Sequence, residues 1–236
     1  MAVTDEAIVR IQEMIRNGEL APGDRLPPEK ILSERLGLSR SSMREAVKAL
    51  EVIRVLDVRR GDGTYVTSLE PRLLLESMSF ALDLQSNSAL LELFAVRRIL
   101  EPAATAMAAT RLTPDEVDDL RRRLSEVDSN SSVEGLVDHD LEFHAAIVNA
   151  AGNSYLSGLV EAVSSNTVRA RLWRGLTQEN AVSRTLAEHR AMVEALAAGD
   201  AKLAEALSIA HIAGVEEWLH RWNGEQPLPQ PPQRLD

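Results

Sequence analysis

"GELAPGDRLPPEKILSERLGLSRSSMREAVKALE", residues 18–51, decides the fold. It holds two short helical patterns separated only by Gly37-Leu38-Ser39. Pro22-Gly23 and Pro27-Pro28 make the lead-in a turn-rich connector, and Pro28 suits the first turn of a new helix. "EKILSERLG" reads as that helix, stopped by Gly37. Leu38-Ser39 then supplies a tight turn and a serine N-cap for a second helix, "RSSMREAVKALEVI", whose Met43, Val47 and Leu50 form an apolar stripe.

Upstream, Ile8, Ile11, Met14 and Ile15 recur at helical spacing until Asn17-Gly18, giving a helix that precedes the pair. Downstream the period changes. "RVLDVRRGDGTYVTS" places β-branched and aromatic residues on either side of Gly61-Asp62-Gly63, the pattern of a two-stranded hairpin. Three helices, a glycine-capped turn between the last two and a terminal hairpin make a winged helix-turn-helix over residues 1–69.

From Leu69 onward no strand pattern appears. Helices are expected at 71–84, 88–110, 113–127, 134–151, 154–174, 180–198 and 200–221, the third opened by a capping box of Thr113, Pro114 and Glu116. The fold class is therefore mainly α, a winged helix-turn-helix followed at 70–222 by an all-α antiparallel bundle of about seven helices. The proline-rich end, 223–236, reads as a disordered tail.

The net charge of −10 would ordinarily argue against a nucleic-acid partner, but it is unevenly spread. Residues 1–69 hold 11 Lys and Arg against 11 Asp and Glu, which leaves 15 against 25 for the rest. The front domain is neutral and carries its basic residues in one place. If the helix starting at Arg40 lies in a major groove, Ser39, Arg40, Ser41, Ser42 and Arg44 meet bases and phosphates. Lys30 is placed to hold backbone, with Arg59, Arg60 and the wing glycines Gly61 and Gly63 at the flanking groove. The plainer reading is a set of solvated charges on a small helical domain. The chain has no cysteine, which removes disulfides and thiolate ligands. With no membrane-length apolar run and no secretory signal, the cytoplasm is the expected compartment and no membrane partner is expected.

In the back domain, Asp140 and His144 share a helical face with Leu141, Ile147 and Val148. His189 and His211 sit on two further helices among apolar residues at helical spacing, so all three imidazoles point inward. A carboxylate and three neutral imidazoles from one bundle are donors that a divalent transition metal takes. Each histidine could equally be a hydrogen-bonded core residue.

Two resemblances bear on these readings. The 18–51 stretch followed by "GDGTYV" resembles the DNA-binding domain of the GntR family of bacterial transcription regulators, which implies DNA contact through Lys30, Arg40, Arg44 and the wing glycines. Lys30 stands where arginine is usual and cannot fork onto a phosphate; Arg54 stands where glycine is usual, which suggests a differently shaped approach to the wing. Residues 70–221 are similar to the FCD ligand domain of the FadR-like subfamily, through Asp140, Phe143, His144, Asn153, His189, Gly199, Asp200 and His211. That resemblance implies Asp140, His144, His189 and His211 as metal ligands, with zinc the first candidate and nickel or manganese the alternatives. It also implies a small organic acid as effector, held at the metal and by Arg97. Arg97 has a plainer reading as the i,i+4 partner of Glu101, and Asn153 either touches the effector or caps a helix end. Of Arg169, Arg171 and Arg174, at least one is expected in the pocket. His139 and His220 match no ligand and are expected at the surface.

The expected function is a repressor-type transcription regulator, a homodimer on double-stranded DNA carrying a short inverted repeat, controlled by that acid. The rival is a metal-dependent enzyme acting on a small carboxylate. It lacks a general base: only Glu101 and Glu142 lie near, and Glu142 is about 200° round the helix from Asp140. A third reading keeps the regulator and lets the histidines bind the effector without metal.

Overall fold

The computed structural model describes residues 3–73, 75, 87–128 and 131–222. Most of the helix expected at 71–84, and all of the expected tail at 223–236, lie outside these residues. The chain divides into two compact units, Met1–Met78 and Ser79–Asp236. No helix among the described residues is long and apolar enough to cross a membrane.

The front unit is built from α1 (Val3–Arg16), α2 (Glu29–Leu36), α3 (Arg40–Val52), β1 (Leu56–Arg59) and β2 (Gly63–Val66). One core holds it: Ile11 from α1, Leu32 from α2, Met43 and Leu50 from α3 and Leu56 from β1 are almost fully buried. The turn between α2 and α3 forms by local chemistry. Gly37 adopts a left-handed φ of 69°, and the Leu38 amide closes back on Ser33 O at 2.9 Å, which satisfies an otherwise orphaned carbonyl. Ser39 then accepts from the Ser42 amide at 3.1 Å and starts α3. The antiparallel hairpin pairs Leu56 with Val66 and Arg59 with Gly63. Segment 23–26 joins it through Leu26 N to Thr64 O at 2.8 Å and Gly23 N to Val66 O at 2.9 Å.

Arg54, expected to reshape the approach to the wing because it stands where the resemblance implies glycine, adopts a left-handed φ of 59°. An L side chain in that region is strained by about 1 kcal/mol or more. Arg54→Gly is accordingly expected to stabilise the front unit by roughly 0.5–1 kcal/mol, after allowing for glycine's larger unfolded-state entropy. Slower amide exchange in α1 and α3 of the full-length variant is the check; unchanged exchange would mean that the Arg54 side chain offsets its own strain.

The rear unit contains, among the described residues, α4 (Asn87–Ala109), α5 (Pro114–Ser125), α6 (Val133–Ala150), α7 (Ser154–Ser165), α8 (Val168–Thr177), α9 (Ala181–Ala197) and α10 (Ala201–Trp222). The expected capping box is present, with Thr113 accepting from Glu116 N and Glu116 from Thr113 N. The long helices α4 and α10 form the most extensive interface, and α6, α7 and α9 pack against α4.

One expectation fails in an instructive way: 154–174 is two helices. Asn166 Nδ2 donates to Ala162 O at 2.8 Å and Thr167 Oγ1 donates to Ser164 O at 2.8 Å. Short polar side chains that bond nearby backbone compete with the helix ladder. The break buries Thr167 completely and restarts the chain as α8, whose Arg171 and Arg174 face inward.

Candidate functional site

α6 carries Asp140 and His144 one turn apart, α9 carries His189 and α10 carries His211; all four are buried, and one donor atom from each lies within 4.8 Å of the others. Asp140 Oδ1 is 3.7 Å from His144 Nε2, 3.2 Å from His189 Nε2 and 3.8 Å from His211 Nε2. His144 Nε2 and His211 Nε2 face each other at 3.2 Å. Four donors about 2.0–2.2 Å from a tetrahedral ion are separated by edges of about 3.3–3.6 Å, so these spacings suit one cation.

The outer nitrogens are arranged to free the inner ones. His211 Nδ1 donates to Glu188 Oε2 at 2.9 Å, and His144 Nδ1 lies 3.7 Å from Glu101 Oε2. The hydrogen-bonded Glu188 carboxylate fixes the His211 tautomer that leaves Nε2 as a lone pair, and the Glu101 charge, beyond hydrogen-bond distance, favours the same tautomer of His144. His189 gives the sharpest test of fit. Although its Nε2 is 3.2 Å from Asp140 Oδ1, neither ring nitrogen makes a hydrogen bond of acceptable geometry. Phe143 stacks on its ring with centroids 4.3 Å apart and fixes its plane. A buried polar atom without a partner is costly, and a metal ion would satisfy it. Burial pushes the His144 pKa down to about 3 and lowers that of His189, so both are neutral and able to ligate at physiological pH. Asp140 is held ionised well below the usual range, because Arg171, with the neighbouring histidines, outweighs its burial.

Behind the donors lies a buried ionic layer. Arg97 donates to Glu101 through Nε at 2.5 Å and Nη2 at 3.1 Å, and through Nη1 to Thr167 Oγ1 at 3.0 Å. Glu101 also accepts from Ser164 Oγ at 2.7 Å. Burial alone would raise the Glu101 pKa; Arg97 brings it to about 2. Arg171 bonds Asp140 Oδ2 through Nη1, Ser164 O through Nη2 at 2.6 Å and Thr167 Oγ1 through Nη2 at 3.3 Å. A cleft opens beside the donors, lined by Asp140, His211, Arg171 and Arg174 together with valines and a leucine.

Of the residues singled out in the sequence, the structure gathers Asp140, His144, His189 and His211. It gives Arg97 entirely to Glu101 and Thr167, and it makes exposed Asn153 the N-cap of α7, accepting from Leu156 N at 3.1 Å. Arg171 and Arg174 are the two basic residues of the 169–174 run that are buried. His220 is exposed as expected. His139 is half-buried instead, because its Nε2 finds Arg123 O at 2.9 Å across the α5–α6 contact. Glu188 was missed: it pairs with a histidine 23 positions later, and its adjacency to His189 gives no hint, since i and i+1 diverge on a helix.

In the front unit, Ser39, Arg40, Ser41 and Arg44 cluster at the exposed start of α3, with Lys30 exposed on α2. Arg40 reaches Glu34 at 3.9 Å and Arg44 reaches Glu29 at 3.5 Å, with both arginines more than 60% exposed. Such solvated pairs are weak, so a phosphate or a guanine can replace either carboxylate. At the wing, Gly61 turns with φ 77°, Arg59 lies 4.2 Å over the Tyr65 ring and Arg25 bonds Asp62 O. Arg25 is a wing residue that the sequence pattern did not reveal.

Comparison with known proteins matches residues 3–66 to the bacterial regulatory proteins of the gntR family and residues 92–214 to the FCD domain. The chain is 34% identical over 212 residues to the HTH-type transcriptional regulator LutR of Bacillus subtilis (strain 168), covering 87% of this chain and 96% of that protein. It is 28% identical over 216 residues to the galactonate operon transcriptional repressor of Escherichia coli (strain K12), covering 89% and 93%. Among solved structures, Streptococcus agalactiae GntR superposes with a TM-score of 0.66 at 25% identity, covering 91% of this chain and 99% of that one.

Proposed function

We propose that this chain, which belongs to the GntR family of bacterial regulatory proteins and carries an FCD domain behind its DNA-binding domain, is a cytoplasmic homodimeric repressor. In this reading it releases operator DNA when a small carboxylate binds beside a divalent metal in the helical unit. Membership makes it a transcription regulator and not an enzyme. The site agrees: Glu101 is held as an anion by Arg97, and Glu142 is 72% exposed and faces Arg123, so neither is poised as a general base. Repression follows the role of the galactonate operon repressor of Escherichia coli, which the chain resembles.

The observation that carries the effector reading is the buried Asp140/His144/His189/His211 donor set opening onto a cleft. Those four residues would hold the metal, zinc first and nickel or manganese next, and the bound ion would supply a Lewis-acidic contact for a carboxylate. Arg97 supports from behind by keeping Glu101 ionised against His144, and Asn153 supports by capping α7. Control of DNA binding requires that effector prefer one state of the dimer, a coupling typically of about 1–3 kcal/mol.

For DNA, α3 enters the major groove with Arg40 and Arg44 as the fork-bearing residues and Ser39 and Ser41 as hydroxyl partners. Lys30, Gly61 and Gly63 hold backbone. A two-fold dimer then reads an inverted repeat whose half-sites lie about one helical turn apart. The test is selection of genomic fragments by the zinc-loaded protein at near-physiological salt. A short inverted repeat is expected. Arg40→Ala or Arg44→Ala should weaken binding to it about tenfold or more, whereas Lys30→Ala should chiefly flatten the salt dependence. Selected fragments without a shared repeat, or operator affinity indifferent to Arg40 and Arg44, would overturn this reading.

A further inference from the structure

We propose that Arg174 anchors the anionic group of the effector, and that the cleft it lines selects a short aliphatic carboxylate over a polyhydroxylated one. The assignment rests on the reading of the rear unit as an effector domain. Arg174 lies in the last turn of α8 and is 3% exposed. Its Nε donates to Gln178 Oε1 at 2.8 Å, but its Nη2 is buried and has no hydrogen-bond partner. Among the buried guanidinium atoms of the described residues, only Arg174 Nη2 and Arg171 Nε are left in that state. Arg97 is the opposite case, with its donors spent on Glu101 and Thr167.

A buried cationic donor without an acceptor weakens the fold, and such defects persist at binding sites, where a ligand cancels them. Both unpaired atoms belong to arginines that line the same cleft as Asp140 and His211. An anion in that cleft would therefore be within a lining that holds both Arg174 and two of the metal donors. Burial lowers the Arg174 pKa, which an arriving anion would oppose. The rest of the lining sets the chemistry of the ligand body. Leu136, Val137, Val182 and Val215 are apolar, and Thr185 contributes a hydroxyl. A hydrocarbon chain of a few carbons can be buried there, whereas a run of hydroxyls would lose water and find few partners.

The test uses full-length zinc-loaded protein and two probes of equal charge, butanoate and gluconate, in calorimetric titrations, with zinc content measured for every sample. Wild type is expected to bind butanoate at least tenfold tighter than gluconate. Arg174→Met is expected to lower butanoate affinity at least tenfold, to leave zinc content unchanged and to raise the melting temperature of the ligand-free protein, because a buried donor without an acceptor is gone. Arg174→Lys, which keeps the charge and most of the stem, should bind with intermediate affinity and serves if the methionine variant does not fold. Unchanged butanoate affinity in either variant, or a lower melting temperature with intact binding, would make Arg174 a structural residue. Gluconate binding as tightly as butanoate, or no binding of butanoate by wild type, would overturn the assigned ligand class. Wild type that binds butanoate through Arg174 but holds no zinc would sink the metal reading and leave this one standing.

Discussion

Arg97→Ala is expected to cost the helical unit about 3–5 kcal/mol, the range for removing one member of a buried ion pair. The pair is almost wholly enclosed, with side chains 2% and 1% exposed, and Glu101 also receives Ser164 and faces His144 at 3.7 Å. Without the guanidinium, the largest opposition to the burial that raises the Glu101 pKa is gone and only His144 and Ser164 remain, so the carboxyl takes up a proton or draws in water. A protonated Glu101 no longer holds the His144 tautomer that points Nε2 at the metal position, so metal affinity should fall with stability. Replacing both partners with apolar residues, Arg97→Met with Glu101→Leu, should recover much of the loss, because the stranded charge is what costs most. Urea unfolding followed by tryptophan fluorescence reads the right unit, since Trp173, Trp218 and Trp222 all lie there. A single-variant loss below about 1 kcal/mol would place the pair among solvated ones. Arg97 and Arg174 thus make opposite predictions from one residue type: an arginine whose donors are all spent is missed when removed, and one that keeps a buried donor without an acceptor is not.

The parts of this protein that were legible in its sequence are those written in local chemistry. Gly37 and Ser39 end one helix and start the next by bonds within five residues, so the helix-turn-helix could be read directly. Asp140 and His144 share a face by spacing alone, and the apolar neighbours of His189 and His211 turn those rings inward. Their convergence to within 4.8 Å is a product of packing α6, α9 and α10, and periodicity gives no distance. The break at Asn166-Thr167 escaped because both side chains cap backbone carbonyls inside an otherwise helical pattern, and hydrophobic period is blind to that. Spacing left Arg97 open between an effector carboxylate and Glu101, and the groups that complete its ion pair, Thr167 on Arg97 and Ser164 on Glu101, lie 70 and 63 positions from their partners. Arg54 shows the converse limit: a residue that argues locally against a left-handed turn adopts one where Val55 N closes on Leu50 O at 2.9 Å and Thr67 Oγ1 bonds Arg54 O at 2.7 Å.

Zinc should raise the melting temperature of the wild-type protein by roughly 10 °C over chelator-treated protein, and His189→Leu should abolish that difference while leaving the chelator-treated value nearly unchanged. A ligand at about a thousandfold over its dissociation constant stabilises by about 4 kcal/mol, and each kcal/mol moves the midpoint of a unit this size by about 2–4 °C. The choice of variant matters. Asp140→Ala also removes metal, but it strands the Arg171 guanidinium in the interior, and His211→Leu takes from Glu188 one of its two partners, leaving only Arg184. Both would destabilise the metal-free chain and confuse loss of ligand with loss of fold. His189 has no hydrogen-bonded partner at either nitrogen and stacks on Phe143, so an apolar residue can replace it without orphaning a neighbour. The same feature separates two kinds of regulator. If the histidines held the effector by hydrogen bonds alone, zinc and chelator would give one melting temperature. If zinc bound elsewhere, His189→Leu would keep the full shift. Only a cation seated among Asp140, His144, His189 and His211 makes the least-bonded histidine of the four indispensable to the metal and dispensable to the metal-free fold.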